Sequence, residues 1–255
     1  MASPEIIINK SREMYILYSS STDMLLNEDN KVMGTSLPLK KLFDPTFLKN
    51  QQLVNKVAQG RGETIFFNID NTPLVLRHYH RGGLVAKVFK DHYLWVGLEQ
   101  TRAYRELAML MNLSTNNLPA PKPFAARIVR TGCFYRADII THALIDTETF
   151  TERLQSNTID DKVWQTIGET IAQFHQNGIY HADLNAHNIL LNSNNDVFII
   201  DFDKAKFKDA SDNSWRQQNL QRLKRSLIKL SDNNVIPCFD KNNWTTLEQS
   251  YHKSG

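Results

Sequence analysis

The stretch from residue 160 to residue 203 places the tightest limits on what this chain can become. Asp160 or Asp161 can cap a helix on which Trp164, Ile167, Ile171 and Phe174 recur at three- and four-residue steps, the period of one buried helical face. Asn177-Gly178 stops that helix, because glycine accepts the left-handed conformation common at helix C-termini. A polar loop follows, Ile179-Tyr-His-Ala-Asp-Leu-Asn-Ala-His-Asn, and then the apolar run Ile189-Leu-Leu. The turn residues Asn194-Asn-Asp lead into a second run, Val197-Phe-Ile-Ile-Asp. The expected order is loop, short strand, turn, strand after a capped helix, which holds both ends of the polar loop in place.

The rest of the chain is organised around that segment. Residues 1 to about 45 alternate short apolar pieces with Ser- and Asn-rich ones and read as a loosely organised leader. Residues 46–143 are strand-rich. Thr64-Ile-Phe-Phe-Asn-Ile and Leu74-Val-Leu-Arg-His-Tyr flank the turn Asp70-Asn-Thr-Pro, and Phe124-Ala-Ala-Arg-Ile-Val and Phe134-Tyr-Arg-Ala-Asp-Ile-Ile are joined across Arg130-Thr-Gly. Between the pairs, Tyr104, Leu107, Leu110 and Met111 mark one amphipathic helix from Leu98 to Met111. Residues 144–255 are helix-rich, and the sequence predicts a last amphipathic helix over about 214–230, with Leu220, Leu223, Leu227 and Leu230 on one face.

Several classes are excluded early. Hydrophobic residues make up 41% and charged residues 22%, enough to build a real core. Cys133 and Cys238 stand far apart without a pairing motif, which fits a reducing compartment better than a secreted one. No apolar stretch approaches the ~18 residues needed to cross a membrane. Met1-Ala-Ser-Pro-Glu-Ile-Ile-Ile lacks the basic region and apolar core of a secretory signal. A net charge of +3 gives no argument for a nucleic-acid partner.

The polar loop carries the chemistry. His181-Ala-Asp183-Leu-Asn-Ala-His-Asn188 offers a carboxylate and, five positions later, an amide oxygen. Asp201, 18 positions after Asp183, adds a carboxylate at the end of the second strand. Phosphoryl transfer needs such a set, because its catalysis is mostly positioning and charge neutralisation. One carboxylate orients the attacking hydroxyl and takes its proton, while another carboxylate and an amide oxygen hold Mg²⁺, a hard ion that prefers oxygen. The competing interpretation is a decorated loop with Asp201 capping a turn; the ordered elements on either side argue against it. His175, His181 and His187 repeat every six residues, a step that does not gather them on one helical face, so no zinc site is expected. His181 is expected to support the loop through hydrogen bonds.

Here the sequence resembles the protein-kinase superfamily, whose catalytic loop His-Arg-Asp-x-x-x-x-Asn is matched by His181, Asp183 and Asn188, with Ala182 replacing the Arg. Asp201-Phe202 matches the Asp-Phe-Gly element, with Asp203 replacing the Gly. The resemblance implies an α+β, compact two-lobed kinase-like fold: an N-terminal antiparallel sheet with one helix, and a reduced helical C-terminal lobe. It also implies Asp183 as base and Asn188 and Asp201 as ligands of Mg²⁺, with ATP as donor. The missing Arg normally receives an activation-loop phosphate, so its absence argues against that switch. The N-terminal lobe would supply the nucleotide site. Gly60-Arg-Gly62 resembles an abbreviated glycine-rich loop, though an ordinary turn would look the same. Arg77 occupies the expected strand position of the phosphate-binding lysine. Lys87 in Leu84-Val-Ala-Lys, closer to the family's Val-Ala-x-Lys but following Gly82-Gly83, is the alternative or a second phosphate contact, and Glu106 is the best partner for either cation.

Residues 204 to 229 hold eight Lys or Arg against two Asp or Glu. With Trp215 and the leucine stripe they suit an anionic membrane surface or an acidic substrate; the alternative is a core helix with a solvated basic face. A narrower likeness covers roughly residues 60 to 230. It is carried by Arg77-His-Tyr-His-Arg-Gly-Gly-Leu-Val-Ala-Lys, Gly97-Leu-Glu-Gln-Thr-Arg-Ala-Tyr-Arg-Glu, Leu118-Pro-Ala-Pro-Lys-Pro, Tyr135-Arg-Ala-Asp and Tyr180-His-Ala-Asp-Leu-Asn-Ala-His-Asn. In these the chain resembles the small bacterial lipopolysaccharide-core kinases, the 3-deoxy-D-manno-octulosonic acid (Kdo) kinase group. That resemblance implies ATP-dependent phosphorylation of a Kdo hydroxyl, at O-4, on Kdo-lipid A or its precursor. It also implies work at the cytoplasmic face of the inner membrane, with peripheral contact to an anionic surface. No Ala-Pro-Glu element follows Asp201 and only about 50 residues remain, which favours a non-peptide acceptor. A compact protein or small-molecule kinase and a non-catalytic pseudokinase are the rival readings.

Overall fold

The computed structural model describes residues 5–19, 22, 26, 27, 29–32, 35, 37–59, 63–81, 91–156, 159–236 and 239–254. They form two compact units. The first comprises Met1–Thr115 and Pro121–Ala143, the second Asn116–Ala120 and Leu144–Gly255.

The first unit is built on an antiparallel sheet of eight strands among the described residues. They are β1 (Ile6–Ser11), β2 (Met14–Ser19), β3 (Val54–Gln59), β4 (Glu63–Ile69), β5 (Thr72–His78), β6 (Tyr93–Leu94), β7 (Pro123–Thr131) and β8 (Phe134–His142). Their order is β1-β2-β7-β8-β5-β4-β3, with β6 pairing β8. The β4–β5 turn is Asp70-Asn71 alone, both with positive φ, the tight hairpin geometry whose twist matches the flanking strands. Thr72 and Pro73, read from the sequence as turn residues, already belong to β5. A short helix, α1 (Pro45–Asn50), is capped by Asp44, and α2 (Arg102–Thr115) packs on β7 and β8. Alternate residues of the strands, among them Ile65, Phe67, Leu74, Leu76 and Ile140, bury one sheet face against Leu39, Leu42, Phe43 and Leu48.

The expected loose leader is corrected by this arrangement. Residues 6–19 form the β1–β2 hairpin, and β2 pairs with β7 from Met14↔Val129 to Tyr18↔Ala125. Ile6, Ile7, Ile8, Tyr15, Ile16 and Tyr18 are strand-forming residues with a sheet edge to join. The polar residues between the apolar pieces masked that tendency.

The second unit contains α3 (Phe150–Ser156), α4 (Asp161–Gln176), α5 (Asn213–Asp232) and α6 (Lys241–Ser254). Its short strands are β9 (Thr147–Thr149), β10 (Ile179–Tyr180), β11 (Ile189–Asn192), β12 (Val197–Ile199) and β13 (Lys206–Phe207), paired β12-β11-β9 and β10-β13. Asp160 caps α4 through the Val163 N–H at 3.1 Å. At the other end Gly178 has φ +70°, and a Cβ there would meet the Lys208 carbonyl oxygen. Both the helix stop and the β10–β13 pairing therefore favour glycine.

Helix α5 is not the last, contrary to expectation: α6 follows and packs closely on α4. Their crossing is close enough that a Cβ on Gly168 would overlap the Leu247 carbonyl oxygen. Trp244, Leu247 and Tyr251 give α6 a buried face, diluted in sequence by the polar residues around them. In α5, Trp215, Leu220, Leu223 and Leu227 are all buried. Its apolar stripe is therefore core as far as Leu227; Leu230 is half-buried and Ile228 exposed, and the rest of the exposed face is polar and basic.

Candidate active site

In the second unit, the loop after β10 is held by its own polar groups. The Asp183 carbonyl accepts from Asn188 Nδ2 and from Asn185 Nδ2, each at 2.8 Å. Asn188 uses its amide N–H₂ for that bond, and so its Oδ1 is available for other contacts. The Asn185 side chain also accepts from the His187 N–H at 2.9 Å, and Ala186 N donates to Ser226 Oγ on α5 at 3.2 Å. The Ile200 N–H donates to the Asn188 carbonyl at 3.0 Å, tying the loop to the end of β12.

His181 is the hinge of this arrangement. Its Nε2 lies 2.9 Å from the Ile200 carbonyl and its Nδ1 accepts the Asp183 N–H at 3.2 Å. A carbonyl only accepts, so Nε2 carries the proton and the ring is neutral. Burial pushes its pKa down, outweighing the favourable charges of Asp201 and Asp183. Beneath it a buried chain continues. Asn219 Nδ2 on α5 donates to the His181 carbonyl at 2.6 Å, and Asn219 Oδ1 accepts from His175 Nε2 at 3.0 Å. His175 Nδ1 then accepts from Tyr251 Oη on α6 at 2.9 Å. Burial lowers the His175 pKa to about 4, which keeps this ring neutral as well.

Asp201 sits at φ +66°, a left-handed conformation that Asp tolerates better than most residues. Phe202 anchors it from behind, stacked on Phe174 at 5.7 Å between centroids and edge-on to His181 at 5.0 Å. The backbone kink presents Asp201 at the end of β12 while its neighbour is buried. Asp183 forms an ion pair with Arg222 of α5. Burial raises the Asp183 pKa, but the Arg222 hydrogen bond and charge, helped by Asn185, outweigh it and hold the carboxyl below its usual range. A carboxylate and an amide oxygen make a hard, oxygen-only donor set, which suits Mg²⁺ sharing its remaining positions with phosphate and water.

In the first unit, Arg77 of β5 forms an ion pair with Glu106 of α2. Glu106 is buried and also accepts from Tyr79 Oη at 2.6 Å. The Arg77 guanidinium lies over the Tyr79 ring, so one cation is fixed from two sides. Gly60, Gly62 and Lys87 lie outside the described residues. Among the residues around the loop, Arg222, Asn219 and Tyr251 escape sequence reading. Arg222 stands within the basic run at 204–229, but nothing in one dimension marks it as the partner of Asp183.

A rigid loop presenting Asp183 and Asn188, an αL aspartate after the next strand, and a cation–Glu pair between a strand and the helix packed on the sheet define a protein-kinase-like phosphotransferase. The pattern for the lipopolysaccharide kinase (Kdo/WaaP) family matches residues 46–251. The chain is 39% identical over 212 residues to a 3-deoxy-D-manno-octulosonic acid kinase of Photobacterium profundum, covering 83% of this chain and 89% of the relative. It is 36% identical over 241 residues to one of Photobacterium damsela subsp. piscicida, covering 94% of each. Against one of Haemophilus influenzae (strain 86-028NP) the identity is 40% over 221 residues, with 84% and 90% covered. The chain belongs to the lipopolysaccharide kinase (Kdo/WaaP) family and is a kinase, with ATP as its phosphoryl donor.

Proposed function

We propose that the protein phosphorylates the O-4 hydroxyl of a Kdo sugar on Kdo-lipid A or its precursor, as a step in building the lipopolysaccharide inner core. The observation that carries this reading is the agreement between relatives named 3-deoxy-D-manno-octulosonic acid kinase over most of the chain and the ordered Asp183–Asn188 loop. Asp183 is the base that orients the acceptor hydroxyl and takes its proton as the hydroxyl oxygen attacks the γ-phosphorus and ADP departs. Asn188 Oδ1 and the Asp201 carboxylate would hold Mg²⁺, which neutralises charge on the phosphates. Arg77, fixed by Glu106 and Tyr79, binds phosphate oxygens, with Gly60, Gly62 and Lys87 completing the nucleotide site. His181 holds the loop in register and takes no proton.

The enzyme works at the cytoplasmic face of the inner membrane as a peripheral protein. Among the described residues no helix is long and apolar enough to cross a membrane. Contact with the anionic surface rests chiefly on the solvated cations of α5, since Trp215, Leu220, Leu223 and Leu227 are buried. The test is transfer of label from γ-labelled ATP to Kdo-lipid A in Mg²⁺, with Asp183→Ala alongside. Label on the sugar with the intact enzyme, reduced ~10³-fold or more in the variant, supports the assignment. Unchanged transfer in Asp183→Ala removes the base, and no transfer by the intact enzyme removes the acceptor.

A further inference from the structure

Beside Asp183, the surface of α5 and the end of β10 form an open cleft of about 390 Å³, lined by Tyr180, Gln217, Gln218, Gln221, Arg222 and Arg225. Among the described residues the lining comprises two guanidinium groups, three primary amides and one phenol, with no carboxylate. Gln217, Gln218 and Gln221 are exposed on the helix, as is Arg225, which has no ion-pair partner among the described residues. Arg222 belongs both to the cleft and to the ion pair with Asp183, so one lining residue of the cleft touches the proposed base. The Arg222 and Asp183 side chains are 45% and 39% exposed. An ion pair that wet adds little to folding, so stability does not account for its position.

We propose that this cleft binds the acidic sugar of the acceptor, with Arg225 and Arg222 receiving its carboxylate and the glutamines its hydroxyls; this rests on the acceptor reading above. A guanidinium fork matches a carboxylate in a bidentate manner, and amides both donate to and accept from sugar hydroxyls. Arg222 then has two anions within reach, Asp183 and the sugar. When the sugar carboxylate draws the guanidinium towards itself, the Asp183 carboxylate is released to face the acceptor hydroxyl. The acceptor thereby readies the group that takes its proton, and the binding energy of the carboxylate is used beside the reacting hydroxyl.

The experiment titrates the full-length protein with the methyl glycoside of Kdo and, separately, with its methyl ester, for the wild type, Arg225→Ala and Arg225→Lys. The free acid should bind wild type ~10-fold or more tighter than it binds Arg225→Ala, as expected for losing a charge-assisted contact, with Arg225→Lys between them. The ester should bind all three alike. Equal affinity of acid and ester for the wild type overturns the carboxylate site, and so does an Arg225→Ala affinity within about twofold of wild type. Arg225 lies exposed on a helix, and an unchanged melting temperature identifies the variant as folded. In the transfer assay Arg225→Ala should raise the KM for Kdo-lipid A and leave that for ATP unchanged; a rise in both argues for a structural role and against the cleft. Because the titration needs no turnover, it judges the cleft even if Kdo-lipid A proves not to be the acceptor.

Discussion

The buried His175 makes the second unit sensitive to acid by a calculable amount. Its pKa is about 4 in the folded protein against an ordinary value of 6.5. The unfolded chain therefore binds a proton that the folded chain refuses at any pH between these values. The sign follows from linkage. Stability is intact above about 6.5 and declines as pH falls toward about 4, because protons favour the state that binds them. Applied to one group with these two values, linkage gives a loss of about 2 kcal/mol between about pH 7 and pH 5. His181, also depressed by burial, changes in the same direction. The perturbation that isolates His175 is His175→Gln, since an amide N–H can still reach Asn219 Oδ1 and cannot titrate. The variant should lose about 1 kcal/mol at neutral pH, where Tyr251 Oη no longer finds an acceptor. Urea unfolding of both proteins at the two pH values measures the gap. The wild-type advantage should disappear and reverse by pH 5, a swing of about 2 kcal/mol. A gap that stays constant within about 0.5 kcal/mol would refute the assignment of acid sensitivity to this ring.

Three other perturbations examine separate parts of the structure. Gly168→Ala puts a methyl group into the Leu247 carbonyl at the α4–α6 crossing and should cost about 2–4 kcal/mol in urea unfolding, because backbone and not a flexible side chain must move. Asn219→Leu leaves the His181 carbonyl and the His175 N–H without their buried partner, and should cost about 2–4 kcal/mol and lower kcat more than it changes either KM. Asp201→Asn keeps a residue type that tolerates φ +66°, so the melting temperature should hold while Mg²⁺-dependent kcat falls by about 10² or more. Near-normal turnover in that variant would remove Asp201 from the metal site.

The sequence shows most plainly what is local. The cap at Asp160, the stop at Gly178 and the strands on either side of Asn194-Asn195 are legible because each depends on a few adjacent residues. Helix α2 is legible by period, although its first turn, Leu98–Gln100, is a separate 3₁₀ segment ending at Thr101. What is not legible depends on partners distant in the chain. Residues 6–19 look loose until β7 offers them an edge, and α6 looks polar until Gly168 opens a place for Leu247. The role of α5 was ambiguous for the same reason. Its leucines serve a core or a membrane equally well in one dimension, and only the packing of Trp215 against His175 and Tyr180 decides between them.

Around Asp183 the protein separates positioning from charge. The groups that position the loop are buried and uncharged: His181, Asn219, His175 and Tyr251 pass hydrogen bonds from α6 to the loop without an ion among them. The burial that keeps both histidines neutral also makes these bonds rigid, since a broken member would be left unsatisfied away from water. The group that adjusts reactivity, Arg222, lies on the wet side, where screening makes its ion pair easy to break. Had the arginine been buried, its release from Asp183 would have cost several kcal/mol, and an incoming anion could not have displaced it. A base that must be accurately placed yet responsive to its substrate calls for this division, with dry hydrogen bonds behind the carboxylate and an exposed cation in front.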